Sequence, residues 1–183
     1  MENTMELVDS VLKTTPQRWV QLAETLPPEL FQRRPAPREW SAYECLQHVV
    51  ETERMVFPAR IGYLLRGEDF PAFNPGAEGM NPNGKLTPLE LAREFSRLRE
   101  KSLTLLSEVA NEDLDRKARH QELGVVTLGE MINEWAGHDL MHTIQAERAI
   151  LQPFIEGCGP WKPYFSDLVI IEMTEFEPRR NKD

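Results

Sequence analysis

Trp135-Ala-Gly-His138-Asp-Leu-Met-His142-Thr-Ile-Gln145 carries the strongest fold signal in this chain. Two histidines four residues apart lie one turn from each other on a single helical face, the separation at which two imidazoles can share one metal ion. The stretch belongs to a longer helical pattern. Thr127-Leu-Gly-Glu130 supplies a capping box, and Leu128, Met131, Ile132, Trp135, Ala146, Ala149 and Ile150 recur on one side at the helical period. His138 and His142 follow that apolar side, so a helix predicted from Thr127 to about Ile150 turns both rings inward.

Moving towards the N-terminus, Thr87-Pro88-Leu89-Glu90 places cap, proline and glutamate in the order that opens a helix. Its apolar face continues through Leu91, Phe95, Leu98, Leu105 and Leu106, and its opposite face is heavily charged. Ser41 and Glu44 form another capping box, followed by the stripe Cys45, Val49, Thr52, Met55, Val56, Ala59 and Tyr63 with His48 at its edge. Pro58 predicts a bend in that helix or its early end. The first helical segment carries Leu7, Val8, Val11, Leu12, Trp19, Leu22, Ala23 and Leu26; Thr15-Pro16 offers a kink or a fresh cap, and Pro27-Pro28 ends it. Between Gly67 and Leu86 the chain is rich in Pro and Gly and lacks apolar periodicity, which predicts a long loop of the kind that covers sites as a lid. After the break at Gly157-Cys-Gly-Pro160, a short amphipathic helix is predicted over Tyr164 to Met173, and 175–183 reads as a solvated tail. No alternating strand exceeds a few residues. The expectation is an all-α chain with one domain over 1–174.

Composition narrows the function classes. With 30 acidic against 21 basic residues and a net charge of −9, a phosphate-tracking surface is disfavoured, so no nucleic-acid partner is expected. No apolar run approaches the roughly 20 residues that span a bilayer, and Met-Glu-Asn-Thr-Met-Glu does not resemble a signal peptide, so the expectation is a cytoplasmic protein without membrane contact. Cys45 and Cys158 form no metal-spaced pair and read as small buried hydrophobes.

Three of the four histidines, His48, His138 and His142, thus map onto core-facing arcs of two helices. A lone inward histidine is more often a satisfied core residue than a ligand, and the four-residue spacing by itself is a weak signal; the third inward histidine strengthens it. Three converging rings without a metal would need several other polar partners to satisfy them. His120 lies in a predicted loop and is left outside the shell.

At these residues the chain resembles the DinB/YfiT-like metalloenzyme superfamily. Trp40-Ser41-x-x-Glu44 followed by His48 and Glu53 is similar to its WSxxE-x3-H-x4-E segment, His138-Asp139-x-x-His142-x-x-Gln145 to HDxxHxxQ, and His120-x-x-x-Gly124-x-x-Thr127 to HPxxGxxT. The resemblance implies a four-helix bundle with a long crossover connection. It also implies a divalent ion held by His48, His138 and His142. Relatives that use small thiols point to S-transfer on a small-molecule substrate, and pairing through helix faces implies a homodimer.

Three neutral imidazoles suit Zn²⁺, Ni²⁺ or Fe²⁺ and leave a position open, the arrangement of catalytic sites, whereas a structural zinc takes four protein ligands. The competing readings are a non-catalytic metal-binding or stress-response bundle and a relic pocket without metal. Asp139, in the middle of an apolar stripe, needs a partner; it is expected to bridge to the segment around Trp40, or to orient a ligand. Glu51 and Gln145 are placed either at the open side of the ion or on solvated helix surface, Glu44 in the cap, and Glu134 towards the site or water.

Overall fold

A computed structural model describes residues 4–73 and 86–170. Helix α1 spans Thr4–Thr25, α2 Pro28–Gln32, α3 Ala42–Met55, α4 Phe57–Arg66, α5 Pro88–Leu106 and α6 Leu128–Gly157. The long helices form a four-helix bundle in which α1 and α3 each pack chiefly against both α5 and α6. Consecutive long helices α1 and α3 therefore sit across the bundle from each other. Among the described residues no helix is long and apolar enough to cross a membrane.

The local signals explain where these helices begin. Ser41, Thr87 and Thr127 each accept the backbone N–H of the glutamate three residues on, while Glu44, Glu90 and Glu130 accept the N–H of the cap residue in return. Pro16 is carried inside α1, which runs through it without a fresh cap. Pro58 does more than bend the second long helix: Met55 ends α3, and α4 starts afresh with the proline in its first turn.

Three boundaries differ from expectation. The loop before α6 contains a hairpin, β1 Lys117–His120 paired antiparallel with β2 Gly124–Thr127. Gly124 turns it with a φ of 80°, in the left-handed region open to glycine, and two valines favour the second strand. Four-residue strands are too short to show alternation in a sequence. Helix α6 continues past Ile150 to Gly157, carrying Pro153 within it; the surrounding turns tolerate the one lost donor. The C-terminal segment is a 3-10 helix over Gly159–Leu168 instead of a helix over Tyr164 to Met173, as Pro160 and Pro163 remove two donors from any α-helical ladder. The end of that expected helix, the tail 175–183 and most of the Gly67 to Leu86 loop lie outside the described residues.

The core is layered along the bundle axis. One apolar cluster takes Val8 and Leu12 from α1, Phe57, Ile61 and Leu64 from α4, and Leu128, Ile132 and Trp135 from α6. The other takes Trp19, Leu46, Val49, Phe95, Ala146 and Ile150. Between them each long helix contributes polar residues: Thr15 from α1, Thr52 and Glu53 from α3, Arg99 and Ser102 from α5, Asp139 and Thr143 from α6, all buried. The histidines of α3 and α6 stand beside this polar layer.

Candidate metal centre

His48 comes from the middle of α3, and His138 and His142 from consecutive turns of α6. Because α3 packs on α6, the three rings meet: centroids are 5.1 Å apart for His48 and His138, 4.6 Å for His48 and His142, and 4.5 Å for His138 and His142. One ring nitrogen from each lies within 4.8 Å of the other two. No fourth His, Cys, Asp or Glu among the described residues joins the group.

The fit to an ion can be judged from the nitrogens. Nε2 of His48 is 3.1 Å from Nε2 of His138. Two nitrogens each about 2.0–2.1 Å from a common ion also stand roughly 3 Å apart, so this spacing suits shared ligation. Protonation state agrees. Burial, reinforced by His142, lowers the His48 pKa to about 4; burial and the neighbouring rings lower that of His138 to about 3. Burial also lowers His142, against the opposing pull of Gln145 and Asp139. All three rings are neutral at pH 7, the form with a free lone pair.

Orientation of one ring is fixed by its neighbour. Gln145 Oε1 lies 3.0 Å from His142 Nδ1, accepts that nitrogen's proton and leaves Nε2 as the free ligand atom. Trp40 closes the outer side, stacked on His142 with centroids 5.8 Å apart and tilted against His48 at 5.2 Å. Phe57 lies edge-on to His138 at 5.2 Å. Nδ1 of His138, by contrast, is buried without a hydrogen-bond partner among the described residues.

The other polar candidates divide. Glu44 serves the cap of α3 and pairs with Arg34. Glu51 pairs with Arg54, away from the cluster, and Glu134 lies 3.8 Å from Arg60. Asp139 does not bridge to the Trp40 segment. Its carboxylate receives Arg99 Nη1 and Nη2 at 2.7 and 3.0 Å and the Thr15 hydroxyl. Arg99 also grips Glu53 through Nε and Nη2, both at 2.8 Å, and Glu53 accepts Trp135 Nε1 at 3.1 Å. A buried ion network thus holds α6 on both sides of His138. Sequence reasoning missed Arg99 and the burial of Glu53, although Phe95, Arg99, Ser102 and Leu106 share one spacing of three to four residues and place the arginine inside. His120 stays outside the cluster, in β1. Cys45 is buried and its thiol is pushed up to about 12, mainly by desolvation, so it is no nucleophile at neutral pH; Cys158 is only partly buried.

The sequence profile of the DinB superfamily matches residues 12–146. No curated protein matches the chain. Among solved structures, YfiT from Bacillus subtilis, described as a probable metal-dependent hydrolase with an unusual four-helix bundle topology, superposes with a TM-score of 0.70 at 15% identity, over 84% of this chain and 89% of that one. At that identity the likeness speaks to the fold.

Proposed function

This chain belongs to the DinB superfamily, and on that premise we propose that it is a cytoplasmic metal-dependent enzyme acting on a small molecule. In this reading Nε2 of His48, His138 and His142 hold one divalent ion, zinc, nickel or iron. The observation that carries the reading is the convergence of three neutral, inward imidazoles without a fourth protein ligand among the described residues. Such an ion, when bound, lowers the pKa of a water or thiol at its open position and so supplies a nucleophile at neutral pH. The chain's own residues prepare the place. Gln145 retains the Nδ1 proton of His142, Trp40 shields the rings from bulk water, and the Arg99 network fixes the helix that carries two of the ligands.

Transfer to or from a low-molecular-weight thiol is the specific reaction we favour, ahead of hydrolysis. Purified protein loaded with each metal, assayed with a panel of small thiols and electrophiles beside ester and amide substrates, is expected to exceed the His48→Ala variant with at least one thiol. Hydrolysis alone would replace transfer as the reaction, and no turnover with a full complement of metal would leave the non-catalytic bundle.

We further propose that two copies pair through α1 and α6. Leu140, Met141 and Ile144 of α6 are exposed, Ile144 by 65%, and a shallow groove between the helices is lined by Val11, Leu140 and Ile144. A solvent-facing apolar stripe of this kind is suited to a symmetric helix-face interface. Sedimentation velocity is expected to show a dimer that Ile144→Glu converts to monomer.

A further inference from the structure

A second cluster of polar groups lies beside the histidines and is idle in that scheme. His120 Nδ1 faces the backbone N–H groups of Glu122 and Leu123, both at 3.2 Å. Two donors converging on Nδ1 make it the lone-pair nitrogen, so Nε2 carries the ring proton. That Nε2 stands 3.4 Å from Nη2 of Arg60. A guanidinium has only donors, so neither nitrogen can satisfy the other. The Arg60 side chain is only 17% exposed, and its nearest carboxylate among the described residues, Glu134, is 3.8 Å from Nη1, beyond hydrogen-bond reach. Burial and Arg60 together lower the His120 pKa, which keeps that ring neutral and Nε2 a donor at pH 7. Two N–H donors therefore face one another with no acceptor between them among the described residues.

That place is the wall of a cavity of about 320 Å³, whose apolar surfaces include Phe70, Phe73, Val126 and Met131. The cavity adjoins the histidine cluster. Phe73 lines it and lies 6.5 Å from the His48 ring, while Phe57, one turn before Arg60 on α4, touches His138. We propose that Arg60 and the Nε2–H of His120 form an oxyanion subsite, which binds the carboxylate of a monocarboxylic acid carried on an apolar body and aims that body at the three histidines. The assignment of the subsite to a substrate rests on the reading above; the subsite itself does not require the ion.

The charge of the ligand follows from the other lining groups. Glu130 is occupied by the α6 cap, Glu134 is only loosely paired with Arg60, and Glu122 also lines the cavity. One incoming carboxylate can take the guanidinium donors that the loose Glu134 pair at 3.8 Å leaves without a hydrogen bond; a second would meet Glu134 or Glu122. A neutral carbonyl could accept the same hydrogen bonds but would forgo the charge-assisted contribution of the guanidinium.

Hexanoate, hexanamide and adipate separate these cases. Titrated into metal-free and zinc-loaded protein, with calorimetry and the His120 imidazole ¹⁵N resonance as readouts, hexanoate is expected to bind saturably and to shift His120 Nε2. Hexanamide and adipate are expected to bind at least about tenfold more weakly, and Arg60→Gln to weaken hexanoate by about 10- to 100-fold, as loss of a charged hydrogen bond implies. Arg60→Lys, which keeps the charge without the planar fork, is expected to fall between the two and serves if Arg60→Gln does not fold. The proposal is overturned if hexanoate binds without saturation, if hexanamide binds as tightly, or if both Arg60 variants bind like the parent. Uptake of zinc with no hexanoate binding would remove the subsite alone, and hexanoate binding without uptake of any ion would remove the metal reading alone.

Discussion

Arg99→Met is expected to cost at least about 3–5 kcal/mol of folding stability, the penalty for leaving the partners of a buried charge unpaired. The reason is the completeness of the arrangement. Nε donates to Glu53, Nη2 to Glu53 and Asp139, and Nη1 to Asp139 and to the carbonyl of Leu12 at 2.9 Å, so all five guanidinium protons are used. The side chains of Arg99, Glu53 and Asp139 are each 1% exposed. Phe95 and Trp135 offer their rings to the cation with centroids at 4.8 and 5.2 Å. Methionine fills much of the volume but leaves two carboxylates in a low-dielectric layer with Thr15 and Trp135 as their remaining side-chain donors. Against a total stability of about 5–15 kcal/mol for an ordinary domain, that is a large fraction.

Urea titration followed by circular dichroism measures the loss, and a second variant identifies its origin. Combining Arg99→Met with Glu53→Gln and Asp139→Asn removes the stranded charges, so the triple variant should be more stable than the single one. A single variant within about 1 kcal/mol of the parent would show that the network contributes little. The triple variant has a further consequence for the site. Asp139 follows His138 directly and Trp135 precedes it by less than a turn, so loosening their anchors frees the α6 segment that aims two of the three rings.

This network also marks the limit of what periodicity reveals. The three capping boxes, the inward stripe of α6 and the placement of His48, His138 and His142 on facing arcs were legible, because they depend on spacing within one helix. The partner of Asp139 was not. Arg99 is 40 residues away, and its burial depends on α5 packing against both α1 and α3. A charged residue on a charged helix reads as surface unless its position in the apolar arc is weighed above its chemistry. The hairpin escaped for a different reason: it is held by pairing to Phe70 as well as to itself, since Phe70 donates to Arg119 O and accepts from Gln121 N. Long-range pairing of that kind leaves no local pattern.

Removing His48 is expected to reduce zinc affinity more than any change outside the ligand set. Outer partners of metal-binding histidines contribute roughly 10- to 100-fold, and Gln145→Leu, which strands the Nδ1 proton of His142, is expected in that range. His48→Ala deletes one of three nitrogen ligands and should exceed it, leaving the α6 pair as a weaker two-point site. Competition against a chromophoric chelator reads both values, and equal affinity in His48→Ala and parent would exclude His48 from the shell. The same rings set the acid sensitivity of the metal-free fold. Unfolded, each histidine titrates near its ordinary value of 6.5; folded, His48 takes its proton only at about 4 and His138 at about 3. The unfolded chain therefore binds protons that the folded chain refuses, so the contribution of the neutral rings is whole above pH 6.5 and is lost as pH falls from there towards about 4. Urea midpoints of the metal-free protein should decline between pH 7 and pH 5, and His48→Ala should flatten the decline by removing one of the refused protons.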